Sequence, residues 1–222
     1  LNNAFYTFFD DNGNDLQFFD VPTSAFTNDA NTVALYHFEN NGTDSSGNGY
    51  NFTTTGGFTS SQKQFGTYSG NLTDSTTDYF TRAVNGYYGP WNGSAYTDWC
   101  AEGWFNYQSW SGATQSSFTP NAIMIGDQSG NNVPIWMGFS GETGTQGRLC
   151  FYNYNVFGGT SGNDTFDLNT WHHIVFMFDG TNKMYMAFCN GKLQFNSARG
   201  LNPQTGQTYF TVGGANVGNS NC

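Results

Sequence analysis

Apolar and aromatic runs of strand length recur along this chain, each cut short by Gly, Asn, Asp or Ser. The densest example is residues 168–197. Three runs rich in β-branched, aromatic and other apolar residues are separated there by Asp179-Gly180-Thr181-Asn182 and by Asn190-Gly191. Asn-Gly between such runs is a strong hairpin signal, because both central residues of the matching turn need positive φ. The segment therefore predicts a three-stranded antiparallel meander. Residues 4–19 predict a hairpin: Ala4–Phe9, a turn through Asp11-Asn12-Gly13-Asn14, then Leu16–Phe19. A looser stretch runs from Val21 to Asn31. Further strand-like runs lie at 32–39, 65–72, 78–81, 100–105, 122–127, 133–139, 147–154 and 209–214. No window sets apolar residues at helical spacing behind a cap, so no helix is predicted. Many short strands with turns between them predict an all-β, antiparallel two-sheet sandwich.

Composition narrows this picture. The chain has 222 residues and is 37% hydrophobic, which suits one large all-β domain. Aromatic residues make up 18%, enough to build a sizeable core from few aliphatics. Charged residues are only 10%, far below the usual quarter, so solubility rests on Asn, Ser, Thr, Gln and Gly. Such a surface suits an extracellular or particle-borne protein better than a cytosolic enzyme. The formal net charge of -10 disfavours a nucleic-acid partner, since phosphate binding needs a basic patch. It is compatible with cation binding, and equally with simple solubility. No apolar run is long enough for a membrane span. The first residues, Leu1 to Phe5, lack the basic start and apolar stretch of a signal peptide, and the chain does not begin with Met. A processed protein or a piece of a longer one is expected. Cys100, Cys150, Cys189 and Cys222 are not spaced like a metal knuckle or a redox pair. Their three possible disulfide pairings stay open, beside the equal alternative of buried free thiols.

From Asn31 onward a set of motifs appears in order. They are Thr32–Glu39, Asp44-Ser45-Ser46-Gly47-Asn48-Gly49, Phe65–Leu72, Asp78–Thr81 and Cys100-Ala101-Glu102-Gly103-Trp104-Phe105. The Trp171-His172-His173 start of the meander, its Asp-Gly turn, its Asn190-Gly191-Lys192 end and Tyr209–Gly214 complete the set. In this order they resemble the laminin-G-like, concanavalin-A-like lectin-glucanase jelly-roll domains. The resemblance covers about residues 31–214. It implies an antiparallel jelly-roll sandwich, and a division into residues 1–30, an N-terminal hairpin extension or the end of a preceding module, and residues 31–222, the jelly-roll domain. Two departures stand out. The family continues past the Gly-Gly segment into one more strand, so either the N-terminal hairpin fills that place or the chain is cut. Residues 84–97, with Tyr87, Tyr88 and Trp91, are also longer and more aromatic than a minimal member needs.

Candidate chemistry is sparse. Glycosidases of the resembling superfamily carry acidic residues alternating along one strand, so that they share one face. Glu39, Glu102 and Glu142 lie far apart, and Glu102 has no acidic neighbour two or four residues away. The Arg-rich and Gln-x-His strands of lyases are missing as well. No nucleophile elbow is present. Enzymatic function is disfavoured. His172 and His173 are adjacent, so on a strand they face opposite ways and do not chelate one ion together. Both read as framework, and His37 has no recognisable partner. Calcium fits better, because hard oxygen ligands on loops suit it. By analogy with the resembling family its ligands are sought at Asp74, Asp78 and Asp127. The alternative is that Asp and Asn serve turn geometry.

The aromatic residues divide. Trp104, Trp171, Phe176 and Phe178 fall in strand patterns and belong to the core. Tyr87, Tyr88, Trp91, Trp110 and Trp136 lie in or beside Gly-, Ser- and Pro-rich segments. Flat rings on loops stack on sugar faces, while Asn and Asp bind hydroxyls. Equally, such rings close the ends of a sandwich or pack on another subunit. Asn-x-Ser/Thr sequons occur at Asn41, Asn51, Asn71, Asn92 and Asn163, a weak signal in so Asn-rich a chain. The expected role is a non-catalytic recognition module on an extracellular or virion surface, carbohydrate-binding or adhesive. Its partners would be a glycan or neighbouring protein subunits, including further copies of itself. The alternatives are a structural component of a viral or extracellular assembly and, less favoured, a divergent polysaccharide hydrolase or lyase.

Overall fold

The computed structural model describes residues 5–9, 15–54, 56–72, 78–83, 95–108, 121–126, 135–141, 146–153, 157–198 and 209–213. In chain order their strands are β1 (Phe5–Phe9), β2 (Asp15–Phe19), β3 (Thr53–Thr54), β4 (Gly57–Thr59), β5 (Ser69–Asn71), β6 (Tyr79–Ala83), β7 (Trp99–Asn106) and β8 (Asn121–Gly126). They continue with β9 (Ile135–Gly141), β10 (Gln146–Asn153), β11 (Phe157–Asp167), β12 (Trp171–Asp179), β13 (Met184–Cys189), β14 (Lys192–Ala198) and β15 (Tyr209–Gly213). There is no helix among the described residues. One sheet has the order β1-β2-β14-β13-β12-β7 and the other β11-β10-β9-β8-β15-β6-β3, while β4 and β5 form a separate pair. Every pairing is antiparallel. The chain crosses between the two large sheets at β2–β3, β6–β7, β7–β8, β11–β12 and β14–β15. This is the expected all-β two-sheet sandwich, with jelly-roll-like alternation.

The core lies between the sheets. Ile174, Phe176 and Phe178 of β12 and Tyr185 and Ala187 of β13 meet Phe80, Leu149, Phe166 and Phe210 of the opposite sheet. Intervening positions of β12 face the other way. Val175 is fully buried there in a second apolar cluster with Met186 and Phe188, flanked by Cys100 and Met177. A strand buried on both faces needs apolar residues at nearly every position. This is why residues 174–178 read as an unbroken apolar run rather than an alternation. The meander forms as expected, β12 to β13 to β14, and Asn190 and Gly191 take the positive φ values of 49° and 82° that its tight turn requires. The thiols of Cys100 and Cys189 are free, and burial pushes both far above the ordinary thiol range. Cys150 is buried, and Cys222 lies outside the described residues.

Three expectations change. Residues 32–39 make no strand beyond one isolated bridge, Tyr36↔Asp44. The N–H of Leu35 is taken by the Asp44 carboxylate, and φ is 56° at Phe38 and 57° at Asn40, so the backbone leaves the extended region. Within 65–72 only Ser69–Asn71 is a strand. The N–H groups of Thr67 and Tyr68 go to the Glu39 side chain instead of a ladder. Conversely, the Gly-rich segment Phe157–Asp167 is the longest of the described strands, paired to β10 across two register shifts. Bulges tolerate glycine inside a strand, which hides such strands from a search for alternating patterns.

Candidate functional site

The face of the seven-stranded sheet opposite the core is the best candidate surface. Phe80, Phe210 and Val212 point into the sandwich, so by alternation Thr81 and Thr211 lie on the other face. The ladder registers then define a row straight across this sheet. Thr53 pairs with Thr81, Thr81 with Thr211, Thr211 with Met124, Met124 with Trp136, and Trp136 with Tyr152. Six adjacent strands span about 24 Å at a strand spacing of ~4.8 Å. Three threonines stand at one end of the row and two aromatic residues at the other, with no charged residue between them. Thr81 and Thr211 are 8% and 2% exposed, and their hydroxyl oxygens are 3.0 Å apart. Thr81 also donates to the Phe210 carbonyl at 3.2 Å, which leaves Thr211 to donate within the pair.

Of the aromatic residues expected to bind a ligand (Tyr87, Tyr88, Trp91, Trp110 and Trp136), Trp136 alone falls among the described residues. It stands within strand β9 and not on a loop. Tyr87, Tyr88, Trp91 and Trp110 lie outside the described residues, as do Asp74 and Asp127. Asp78 is half-buried one residue before β6. No group of three His, Cys, Asp or Glu side chains among the described residues is arranged to hold a metal ion.

The other titratable groups serve the framework. Asp44 is 7% exposed. Its Oδ1 accepts from the N–H groups of Leu35 (2.9 Å) and Ser46 (2.8 Å), and its Oδ2 from Tyr50 N–H and the Ser46 hydroxyl, both at 2.8 Å. Burial by itself would raise the carboxyl's pKa. The Leu35, Ser46 and Tyr50 donors outweigh it and hold the group below its ordinary value. Glu39 accepts from Thr67 N–H at 2.9 Å and from Tyr68 N–H at 3.2 Å. Gly66 lies so close that a Cβ there would collide with Glu39 Oε1. Asp164 is held below its ordinary value by bonds from Gln194 (2.9 Å) and Lys192 (3.1 Å), linking β11 of one sheet to β14 of the other.

The two adjacent histidines diverge as their spacing requires. His172 packs against Phe166, and its Nε2–H donates to the Asp167 carbonyl at 2.9 Å, while its Nδ1 accepts from Asn190 at 3.1 Å. These partners fix the Nε2–H tautomer. His173 is fully buried on the other face, with Nε2 3.2 Å from Glu102 Oε2 and the Trp104 and Phe26 rings 5.3 Å and 6.0 Å away. The sequence reading missed this carboxylate–imidazole pair, because its members are 71 residues apart. The signal was present all the same: the Glu-Gly-Trp and His-His strands pair antiparallel, setting Trp104 opposite His173 and Glu102 opposite Val175. Rings close over the imidazole, so the pair braces the sheet.

No protein-family model and no curated protein matches the chain. Among solved structures, domain 4 of AbnA, a GH43 extracellular arabinanase from Geobacillus stearothermophilus in complex with arabinotriose, aligns over 78% of this chain and 78% of its own, at 16% identity and a TM-score of 0.47.

Proposed function

We propose that this chain is a non-catalytic recognition module that binds carbohydrate across its seven-stranded sheet, on the face turned away from the core. The observation that supports this reading is the register row from Thr53 through Thr81, Thr211, Met124 and Trp136 to Tyr152. Sugars combine apolar C–H faces with many hydroxyls. Aromatic residues suit the first and the hydroxyl of the exposed Thr53 the second, with Thr81 and Thr211 buried beside it. A row without charge suits a neutral ligand, and the chain's net charge of -10 disfavours a polyanionic one. No described strand carries two carboxylates two or four residues apart. Such a module belongs on an extracellular or particle surface, with calcium at the Asp78 end of β6 as an optional support.

The test is a glycan array probed with wild type and Trp136→Ala, each with calcium and with chelator. Binding to neutral oligosaccharides is expected, and it should be lost in the variant at unchanged folding stability. Sensitivity to chelator would bring in the acidic loops. Absence of binding to every glycan in both conditions would sink the reading.

A further inference from the structure

We propose that β1 is a self-pairing edge, through which two copies of this chain join their six-stranded sheets into one continuous sheet. The inference is independent of the glycan reading. Strand β1 ends this sheet among the described strands, and it pairs with β2 over five consecutive positions without a bulge. Strand β2 in turn joins β14 at Lys192↔Phe18, so the hairpin extends the main sheet. Proteins normally blunt a sheet edge with lysine, proline, inward charge or a bulge, because an open ladder recruits another strand. Phe5-Tyr6-Thr7-Phe8-Phe9 has none of these devices.

The residue pattern of β1 selects the occupant. It is symmetric about Thr7, with two aromatic residues on either side. A two-fold axis through Thr7 makes the pairing antiparallel. It sets Phe5 opposite Phe9 of the second copy, Tyr6 opposite Phe8, and Thr7 opposite Thr7. Every pair is then aromatic with aromatic or threonine with threonine, both favourable cross-strand combinations, and no like charges meet. A closed two-fold interface requires such self-complementarity, whereas pairing with an unrelated strand does not. A second copy of this chain is therefore the partner, in preference to a strand of another protein.

Sedimentation velocity on the full chain over a wide concentration range tests this. A dimer fraction that rises with concentration is expected. Thr7→Lys sets lysine opposite lysine at the axis, and Thr7→Glu sets glutamate opposite glutamate, so each variant alone should be monomeric. An equimolar mixture should dimerise again, because lysine then faces glutamate. A variant-free readout runs beside it: in wild type, the amides of Phe5–Phe9 should gain protection from hydrogen exchange as the dimer fills. A wild-type chain that stays monomeric, single variants as dimeric as wild type, a mixture that stays monomeric, or amides that exchange alike in monomer and dimer would each overturn the proposal.

Discussion

Asp44 is the residue whose removal the structure prices most clearly. In Asp44→Ala four donors lose their acceptor at once: the N–H groups of Leu35, Ser46 and Tyr50, and the Ser46 hydroxyl. Leu35 is buried, so its N–H finds no easy substitute, and a hydrogen bond from a buried donor to a charged acceptor is worth ~1.5–3 kcal/mol. The other three are part-buried and water replaces much of each, leaving about 0.5–1 kcal/mol apiece. The total loss is about 3–6 kcal/mol, or roughly 6–24 °C in Tm for a domain of this size. Asp44→Asn keeps one oxygen and the shape but turns a donor toward Tyr50 N–H, so about half that loss is expected. Urea unfolding followed by tryptophan fluorescence measures both.

Acid supplies a second, sharper readout at the same residue. The folded-state pKa of Asp44 lies below its ordinary value of 3.8, so the folded state favours the carboxylate. Its contribution is therefore fully present above the unfolded value and lost as pH falls through the folded one. The stability difference between wild type and Asp44→Asn should be constant near neutrality and shrink below about pH 4. Subtraction cancels the other carboxylates held low, Asp164 and Asp179 among them. An alanine variant within 1 kcal/mol of wild type, or a difference that does not shrink in acid, would refute the hydrogen-bond account.

Three further substitutions separate contact from strain and test the seam between the sheets. Gly66→Ala meets both a φ of 68° and the Glu39 carboxylate, whereas Gly47→Ala meets a φ of 90° with nothing within 4 Å. Backbone strain alone costs ~1–2 kcal/mol. Gly66→Ala should cost at least ~1 kcal/mol more than Gly47→Ala in urea unfolding, because the half-buried Glu39 carboxylate is displaced from its Thr67 and Tyr68 donors as well. Gln194→Leu removes a fully buried amide that accepts from Asp164 N–H at 3.0 Å and donates to its carboxylate at 2.9 Å. About 2–3 kcal/mol of destabilisation is expected, together with weaker acid sensitivity, because Asp164 loses the leading interaction that lowers its pKa.

What was legible in the sequence follows from how local each determinant is. The β12–β14 meander was readable because its turn chemistry and apolar runs lie within thirty consecutive residues, 168–197. Strand β11 was not, because its partner β10 absorbs two register shifts and the glycines mimic a loop. Residues 32–39 looked like a strand by residue type. Their conformation is set instead by two carboxylates, Asp44 taking the Leu35 N–H and Glu39 reaching Thr67 and Tyr68. The candidate surface was legible only as Trp136. Its register neighbours Tyr152, Met124, Thr211, Thr81 and Thr53 come from five other strands, and no spacing rule along the chain connects them.

The two large sheets also divide the work. In the six-stranded sheet the polar side chains near its centre are committed: His173 to Glu102, and Asn190 to both His172 and His173 N–H. Exchanging any of these for a ligand would leave a buried partner stranded, which is costly. The Thr81–Thr211 pair is different in kind. Thr81 keeps the Phe210 carbonyl whatever Thr211 does, and with Thr211 only 2% exposed the hydroxyl stays within the pair, so of the row's threonines Thr53 is the exposed one. On the proposed readings, ligand contact would fall to the exposed Thr53 and the aromatic positions of the seven-stranded sheet, and self-pairing to β1 at the edge of the six-stranded one.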